Sequence, residues 1–345
     1  MDFQKAIELI SKPKNILLTT HIKPDGDACG CLAAMQNTLT ALGKKVKLLL
    51  LSPIPEWYKF LFSEKVPVIG EDINLKDLIA GRFGEFDLIM IIDTDSYSQL
   101  PQLDKFLKQT DIPILVIDHH ATTDNLGDVE LLDPTAAATG LIVLDLFKVA
   151  NFPVTEKIAS ALFVAIATDT GWFQFGNTDS RTLLACAKLI DAGAKPTQLY
   201  HDLYQNFSLP RFNLMLTMLG TLEFHLDGRY AAQHILQSDF QQTGATLADT
   251  ENLINECHRI STVKVSALFT ELKDGRIRCS LRSTCPAPYG ARACPVDVSK
   301  IAAKFGGGGH TNAAGAYLPG PLDAAKSLIL AEITAQFKLL DAVAS

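Results

Sequence analysis

Two periodicities alternate along the first half of the chain. Four short apolar runs, residues 15–20 (NILLTT), 45–51 (KVKLLLL), 87–92 (DLIMII) and 112–117 (IPILVI), read as strands. Their apolar positions are continuous rather than alternating, as expected of parallel strands covered on both faces. Helical spacing takes over at residues 29–42, 139–150 and 156–168. This alternation predicts a doubly wound α/β domain with a mainly parallel sheet. Ligands of such folds gather beyond the carboxyl ends of the strands, near a switch point.

From residue 194 to about 223 the pattern is helical and rich in Leu, Met and Phe, and reads as a connector. A second region follows, with strand-like residues 229–236 and a helical stretch near 251–259. Strands at 262–271 and 276–283 are joined across Asp274-Gly275, a hairpin signal. A helix at 298–304 then runs into four glycines and His310. The expected organisation is a catalytic α/β domain (1–193), a helical connector (194–225) and a smaller α/β domain (226–345), with the active site in the cleft between the domains. A chain of 345 residues fits two domains better than one core.

Composition narrows the class. Charged residues make up 20% and hydrophobic residues 48%, ordinary values for a globular protein. No apolar run reaches bilayer length, and the opening MDFQKAIELISKPKN carries acidic residues in place of a basic leader, so a cytoplasmic location is expected. The seven cysteines include no CxxC pair and read as reduced thiols. A net charge of -7 argues against coating long duplex nucleic acid. Residues 259–304 nevertheless hold nine Lys or Arg against three acids, so an anion-binding face is expected beside the glycine run.

The chemistry concentrates at element ends. NILLTT ends in His21, followed by Asp25, Gly26 (which lets the loop turn tightly) and Asp27; DLIMII ends in Asp93; IPILVI ends in Asp118-His119-His120; the helix at 156–168 ends in Asp169. One Asp at such a place is usually a turn or helix cap. His and Asp from four elements at one end of a sheet instead suit a pair of divalent cations, which need several carboxylates, often one shared, and a few imidazoles. Such a donor set favours Mn²⁺ or Mg²⁺ over structural zinc.

In order, HIKPDGDACG, IIDTD, VIDHH and ATDTGWF resemble the four motifs of the DHH phosphoesterases, which include RecJ-type exonucleases, family II inorganic pyrophosphatases and nano-RNases. CSLRS and VDVSKIAAKFGGGGHTNAAG resemble the DHH-associated C-terminal domain. The resemblance implies two divalent metal ions, Mn²⁺ in first place with Mg²⁺ or Co²⁺ as alternatives. It makes His21 and Asp25 ligands of one metal, Asp27, His119 and Asp169 ligands of the other, and Asp93 the shared carboxylate. Asp93, His119 and His120 become the catalytic set, with His120 facing the leaving group and Asp118 orienting a histidine. Arg282, Ser283, Gly307, Gly308, Gly309 and His310 match positions that hold substrate. Two departures stand out: Gln99 lies where relatives carry an arginine, and the segment 284–296, with Cys285, Arg292 and Cys294, is longer than usual and is expected to reshape the substrate cleft.

The resemblance implies an enzyme that removes nucleoside monophosphates from RNAs of a few nucleotides, working 3′→5′, and that dephosphorylates 3′-phosphoadenosine 5′-phosphate (PAP). A hydrolase of pApA and other linear products of cyclic dinucleotides is a close alternative. An inorganic pyrophosphatase is disfavoured, because the glycine run with an upstream LRS implies a nucleoside to hold. An inactive nucleotide-binding regulator is disfavoured because every expected ligand is present. A RecJ-like processive exonuclease would carry further domains to grip a long strand. The expected partners are short RNAs and nucleotides, with no long duplex and no membrane; a homodimer is compatible with the sequence.

Overall fold

The computed structural model describes residues 1–284 and 296–344. The chain forms two compact units, Met1–Asn206 and Phe207–Ser345. The segment 194–225 contributes to both: helix Pro196–Tyr204 falls in the first unit and helix Leu209–Gly220 in the second.

In the first unit α1 (Phe3–Ser11) precedes β1 (Asn15–Thr20), α2 (Gly26–Ala41), β2 (Lys45–Leu48) and α3 (Leu75–Ile79). Then come β3 (Leu88–Ile92), α4 (Leu103–Leu107), β4 (Ile114–Asp118) and β5 (Val129–Leu132). Helices α5 (Thr139–Val149), α6 (Glu156–Asp169), α7 (Ser180–Asp191) and α8 (Pro196–Tyr204) complete it. The strands are all parallel, in the order β2-β1-β3-β4-β5. The chain leaves β1 for β2 on one side and returns to β3 on the other, so the switch point lies between β1 and β3.

Continuous apolar strands make sense here because both faces are buried. Ile16, Leu18, Met90, Ile92, Leu115 and Ile117 join a core with residues of α1, α2, α5 and α6. Their neighbours Leu17, Ile89, Ile91 and Val116 face the opposite way into a second core with Leu78, Leu103 and Phe106. Helices α2 and α6 meet closely because α2 has glycines at the contact. A Cβ on Gly26 would collide with the Thr168 side chain, and one on Gly30 with Ala165 and the Ala161 carbonyl. The expectation of a turn at Gly26 is therefore corrected: Gly26 is the first helical residue of α2, and its missing side chain serves a helix–helix approach.

The second unit contains α9 (Leu209–Gly220), β6 (Glu223–His225), β7 (Tyr230–Ile235), α10 (Gln237–Thr243), β8 (Val265–Glu271) and β9 (Ile277–Ser283). After it come α11 (Val298–Ala303), β10 (Gly308–His310), β11 (Ala313–Leu318) and α12 (Leu322–Ala344). These strands form one mixed sheet in the order β10-β11-β9-β8-β7-β6, in which only β7 and β8 pair in parallel. One sheet face packs on α11 and α12 through residues such as Phe269, Leu281 and Ile329. The β8–β9 hairpin turns at Gly275 with φ +81, and the Arg276 N–H donates to Asp274 Oδ1 at 3.1 Å. The stretch expected as helix near 251–259 forms 3₁₀ turns, Leu247–Thr250 and Leu253–Arg259. The glycine run is not simply a loop, since Gly308 and Gly309 belong to β10.

Candidate metal centre

The parallel sheet delivers its acids and imidazoles to one place. His21 follows β1, Asp93 follows β3, His119 and His120 follow β4, and Asp169 ends α6. Asp25 caps α2, its Oδ1 accepting the N–H groups of Asp27 (3.0 Å) and Ala28 (3.1 Å). Cap and candidate ligand are thus one residue, since a carboxylate has lone pairs to spare.

Among the described residues, three groups each bring their donor atoms within 4.8 Å of one another: His21 with Asp25 and Asp93; Asp27 with His119 and Asp169; and Asp93 with His119 and His120. Asp93 divides its oxygens between them. Its Oδ2 is 3.5 Å from His21 Nε2, while its Oδ1 is 3.8 Å from His119 Nε2. It does so from a left-handed backbone, φ +64, which L residues rarely adopt.

The imidazoles are oriented from behind. His21 Nδ1 lies 3.0 Å from the Ile22 carbonyl and His119 Nδ1 3.1 Å from the Ala136 carbonyl. A carbonyl only accepts, so each Nδ1 carries a proton and each Nε2 faces the acids, where it can ligate a cation once unprotonated. His120 is turned the other way, with Nδ1 2.7 Å from Asp118 Oδ1.

Electrostatics sets the same atoms in tension. Asp27 is almost wholly buried, and burial followed by the charges of Asp93, Asp169 and Asp25 pushes its pKa well up. Asp169 rises to about 7, through burial and the charges of Asp25 and Asp93, against the pull of His119 and His120. At Asp93 burial is outweighed by His21, His119 and His120, and its pKa falls. Crowded carboxylates that repel one another, Asp27 and Asp93 among them buried, with imidazole Nε2 atoms facing them, fit divalent cations. The nearby thiols of Cys29 and Cys31 do not compete, because burial and then the neighbouring acids hold both well above the usual thiol range.

A supporting contact had no sequence signal. The N-cap of α5 is Ala138, which has no side-chain cap. The first N–H groups of α5 instead donate to Asp27: Thr139 N to Oδ2 at 2.6 Å and Gly140 N to Oδ1 at 2.9 Å. Thr139 Oγ1 donates to Asp93 Oδ1 at 2.7 Å. Asn177 ties the Asp169 carbonyl (3.1 Å) to that of Ala137 (3.0 Å). Gln99 meets the centre through its backbone, its carbonyl accepting the Ile22 N–H at 2.9 Å.

In the second unit the expected substrate residues divide. Arg282 and Ser283 are adjacent on β9 and so point to opposite faces. Ser283 is buried and its hydroxyl donates to the Thr311 carbonyl at 3.4 Å. Arg282 lies on the face with Arg278 and Ser280, and its Nη1 donates to the Leu281 carbonyl at 3.1 Å. The Gly307 N–H is engaged by the Ala302 carbonyl at 2.9 Å, and a Cβ on Gly307 or Gly309 would strike the backbone of β11. Close strand pairing, rather than an open loop, accounts for these glycines. His310 is placed by its backbone opposite Ala313. The segment containing Cys285, Arg292 and Cys294 lies outside the described residues.

A centre of acids and imidazoles thus lies at the switch point of a doubly wound sheet, and a smaller mixed-sheet unit follows in the chain. Residues 15–166 match the DHH family N-terminal domain and residues 227–338 the DHHA1 domain, and the chain belongs to the DHH family. It is similar, at 29% identity over 91% of its length and 88% of the relative's, to the bifunctional oligoribonuclease and PAP phosphatase NrnA of Thermus thermophilus. The NrnA of Bacillus subtilis is 24% identical, over 90% of this chain and 91% of the relative. An exopolyphosphatase-related protein from Bacteroides fragilis shares the fold, with TM-score 0.86, 21% identity, and 98% and 97% of the two chains covered. Among the described residues no helix is long and apolar enough to cross a membrane.

Proposed function

We propose that this protein is a two-metal phosphoesterase that degrades very short RNAs from the 3′ end to mononucleotides and dephosphorylates PAP in the cytoplasm. The observation that carries the reading is the sharing of Asp93, one oxygen toward each of two ligand groups. Two relatives named for both activities, matched over nine-tenths of the chain, support the choice of substrates. His21, Asp25 and Asp93 would hold one ion, and Asp27, His119 and Asp169, again with Asp93, the other. Two such ions, Mn²⁺ by preference, would supply Lewis-acid polarisation of the phosphate and a more acidic attacking water.

The chain's own groups do the rest. His120, whose pKa in the metal-free protein is raised to about 9 chiefly by its hydrogen bond to Asp118, would give a proton to the leaving oxygen. Arg282, Gly308, Gly309 and His310 would hold the nucleotide. Ser283 and Gly307 support that region instead, since their donors are engaged within the fold. Short single strands and nucleotides are the substrates, and long duplexes are not.

One panel tests the reading: purified protein with Mn²⁺, offered PAP, pApA, a short RNA, a long RNA and pyrophosphate at equal concentration. The proposal expects short RNA and PAP to be turned over fastest. Preference for pyrophosphate or for the long RNA would overturn it, and preference for pApA alone would narrow it to cyclic-dinucleotide products.

A further inference from the structure

Thr139 touches the carboxylates of both ligand groups. Its hydroxyl donates to Asp93 Oδ1 and its N–H to Asp27 Oδ2. The residue is wholly buried, so neither contact competes with bulk water. A threonine hydroxyl at the start of a helix ordinarily bonds the local backbone. Here it is spent on a strand-end carboxylate 46 residues earlier in the chain.

The geometry gives that bond a purpose. Asp93 must keep one oxygen toward His21 and the other toward His119, yet a carboxylate swings readily about its terminal bond. If the plane turned, both oxygens would serve one ligand group and the other would lose its share. Among the described residues Thr139 is the neutral side-chain donor bonded to Asp93, and a carboxylate can only accept, so the direction of the bond is fixed. The N–H groups of Thr139 and Gly140 meanwhile hold Asp27 by both oxygens, and α5 itself is anchored by Ile142, Leu146 and Phe147 in the core. A rigid helix start therefore clamps one acid from each group.

We propose that Thr139 is a positioning residue whose hydroxyl locks Asp93 in the shared orientation, so that the two metal sites fill as a coupled pair. The inference rests on the two-metal reading above and concerns how the pair is assembled.

The test compares wild type with Thr139→Ser, Thr139→Ala and Thr139→Val, each checked for fold by circular dichroism. Mn²⁺ binding is measured by titration calorimetry, and spin coupling between the ions by low-temperature electron paramagnetic resonance. Thr139→Ser keeps the hydroxyl and is expected to bind both ions with a coupled spectrum. Thr139→Ala and Thr139→Val are expected to weaken one ion by about 10–100-fold, the usual loss when a partner behind a ligand is removed, and to show uncoupled Mn²⁺. The Ser and Ala variants lose the same methyl group, so they decide the matter even if the Val variant fails to fold. Equal affinity and equal coupling in Ser and Ala variants would overturn the role of Thr139 alone. A wild-type protein that takes up no pair of ions would overturn the two-metal reading and this inference with it.

Discussion

His120 Nδ1 stands 2.7 Å from Asp118 Oδ1, and the same oxygen accepts the backbone N–H groups of His119 (2.8 Å) and His120 (3.1 Å). Asp118 is wholly buried, so its charge acts on the imidazole with little screening. The ring is held with its Nε2 edge turned away from Asp118, and its pKa lies near 9.

From this follows a separation of chemistry from metal binding. His120→Ala is expected to lower kcat by about 100- to 10,000-fold, the range of general acid catalysis, with Mn²⁺ content unchanged. Asp118→Asn should move the alkaline limb of the pH–rate profile downward, because the charge that raises His120 is gone. Metal analysis beside single-turnover rates checks both. Loss of an ion from His120→Ala would show that the roles of His119 and His120 are exchanged.

Asp93→Ala is expected to abolish turnover and to remove more Mn²⁺ than Asp25→Ala, since a shared ligand serves both ions and Asp25 one. Calorimetric titration of the two variants gives the comparison. Full Mn²⁺-dependent activity in Asp93→Ala would refute the shared-carboxylate assignment.

Metal-free protein should lose stability as pH rises. Asp169 is raised to about 7 from 3.8, and His21 and His120 to about 9 from 6.5. At His21 burial pulls the value down, but Asp93 and Asp25 outweigh it. All three groups hold more protons folded than unfolded, so their contribution is lost as pH climbs through the folded values. His258, which burial lowers to about 4 from 6.5, acts in the opposite sense between those values, so the melting temperature in a chelator should fall most clearly between about pH 6.5 and pH 9. Added Mn²⁺ competes with the protons of Asp169 and His21, and its stabilisation should grow over the same range. Thermal melts at a series of pH values, with and without Mn²⁺, read both trends; a flat metal-free curve would contradict them.

Arg282→Ala isolates substrate holding. A charge-assisted contact of about 1.5–3 kcal/mol corresponds to about one to two decades in kcat/KM. That loss is expected on PAP and dinucleotides, while bis-p-nitrophenyl phosphate, a small ester with no nucleoside, should be spared. Equal loss on both kinds of ester would make Arg282 a support of the fold.

The strands of the first unit were legible because burial on both faces writes a continuous apolar run, and the acids and imidazoles stand directly after those runs. Strand β5 was not legible, since in VELL only Leu131 is buried. Strands β10 and β11 hide in glycine and alanine, which carry almost no periodic signal. The grip of α5 on Asp27 spans 112 residues, and Ala138-Thr139-Gly140 has no motif that announces it. Arg282 and Ser283 read as a pair in sequence, but the pleat of β9 separates them. Local runs record burial; contacts made by backbone N–H groups across long separations leave no trace in residue type.

The most direct measurement is a time course with a five-nucleotide RNA labelled at its 5′ end, in Mn²⁺, for wild type and Asp93→Ala. The account predicts stepwise shortening from the 3′ end down to the labelled mononucleotide with wild type and no shortening with the variant. Release of the labelled mononucleotide in the first step, or intact RNA beside rapid hydrolysis of pyrophosphate, would contradict it.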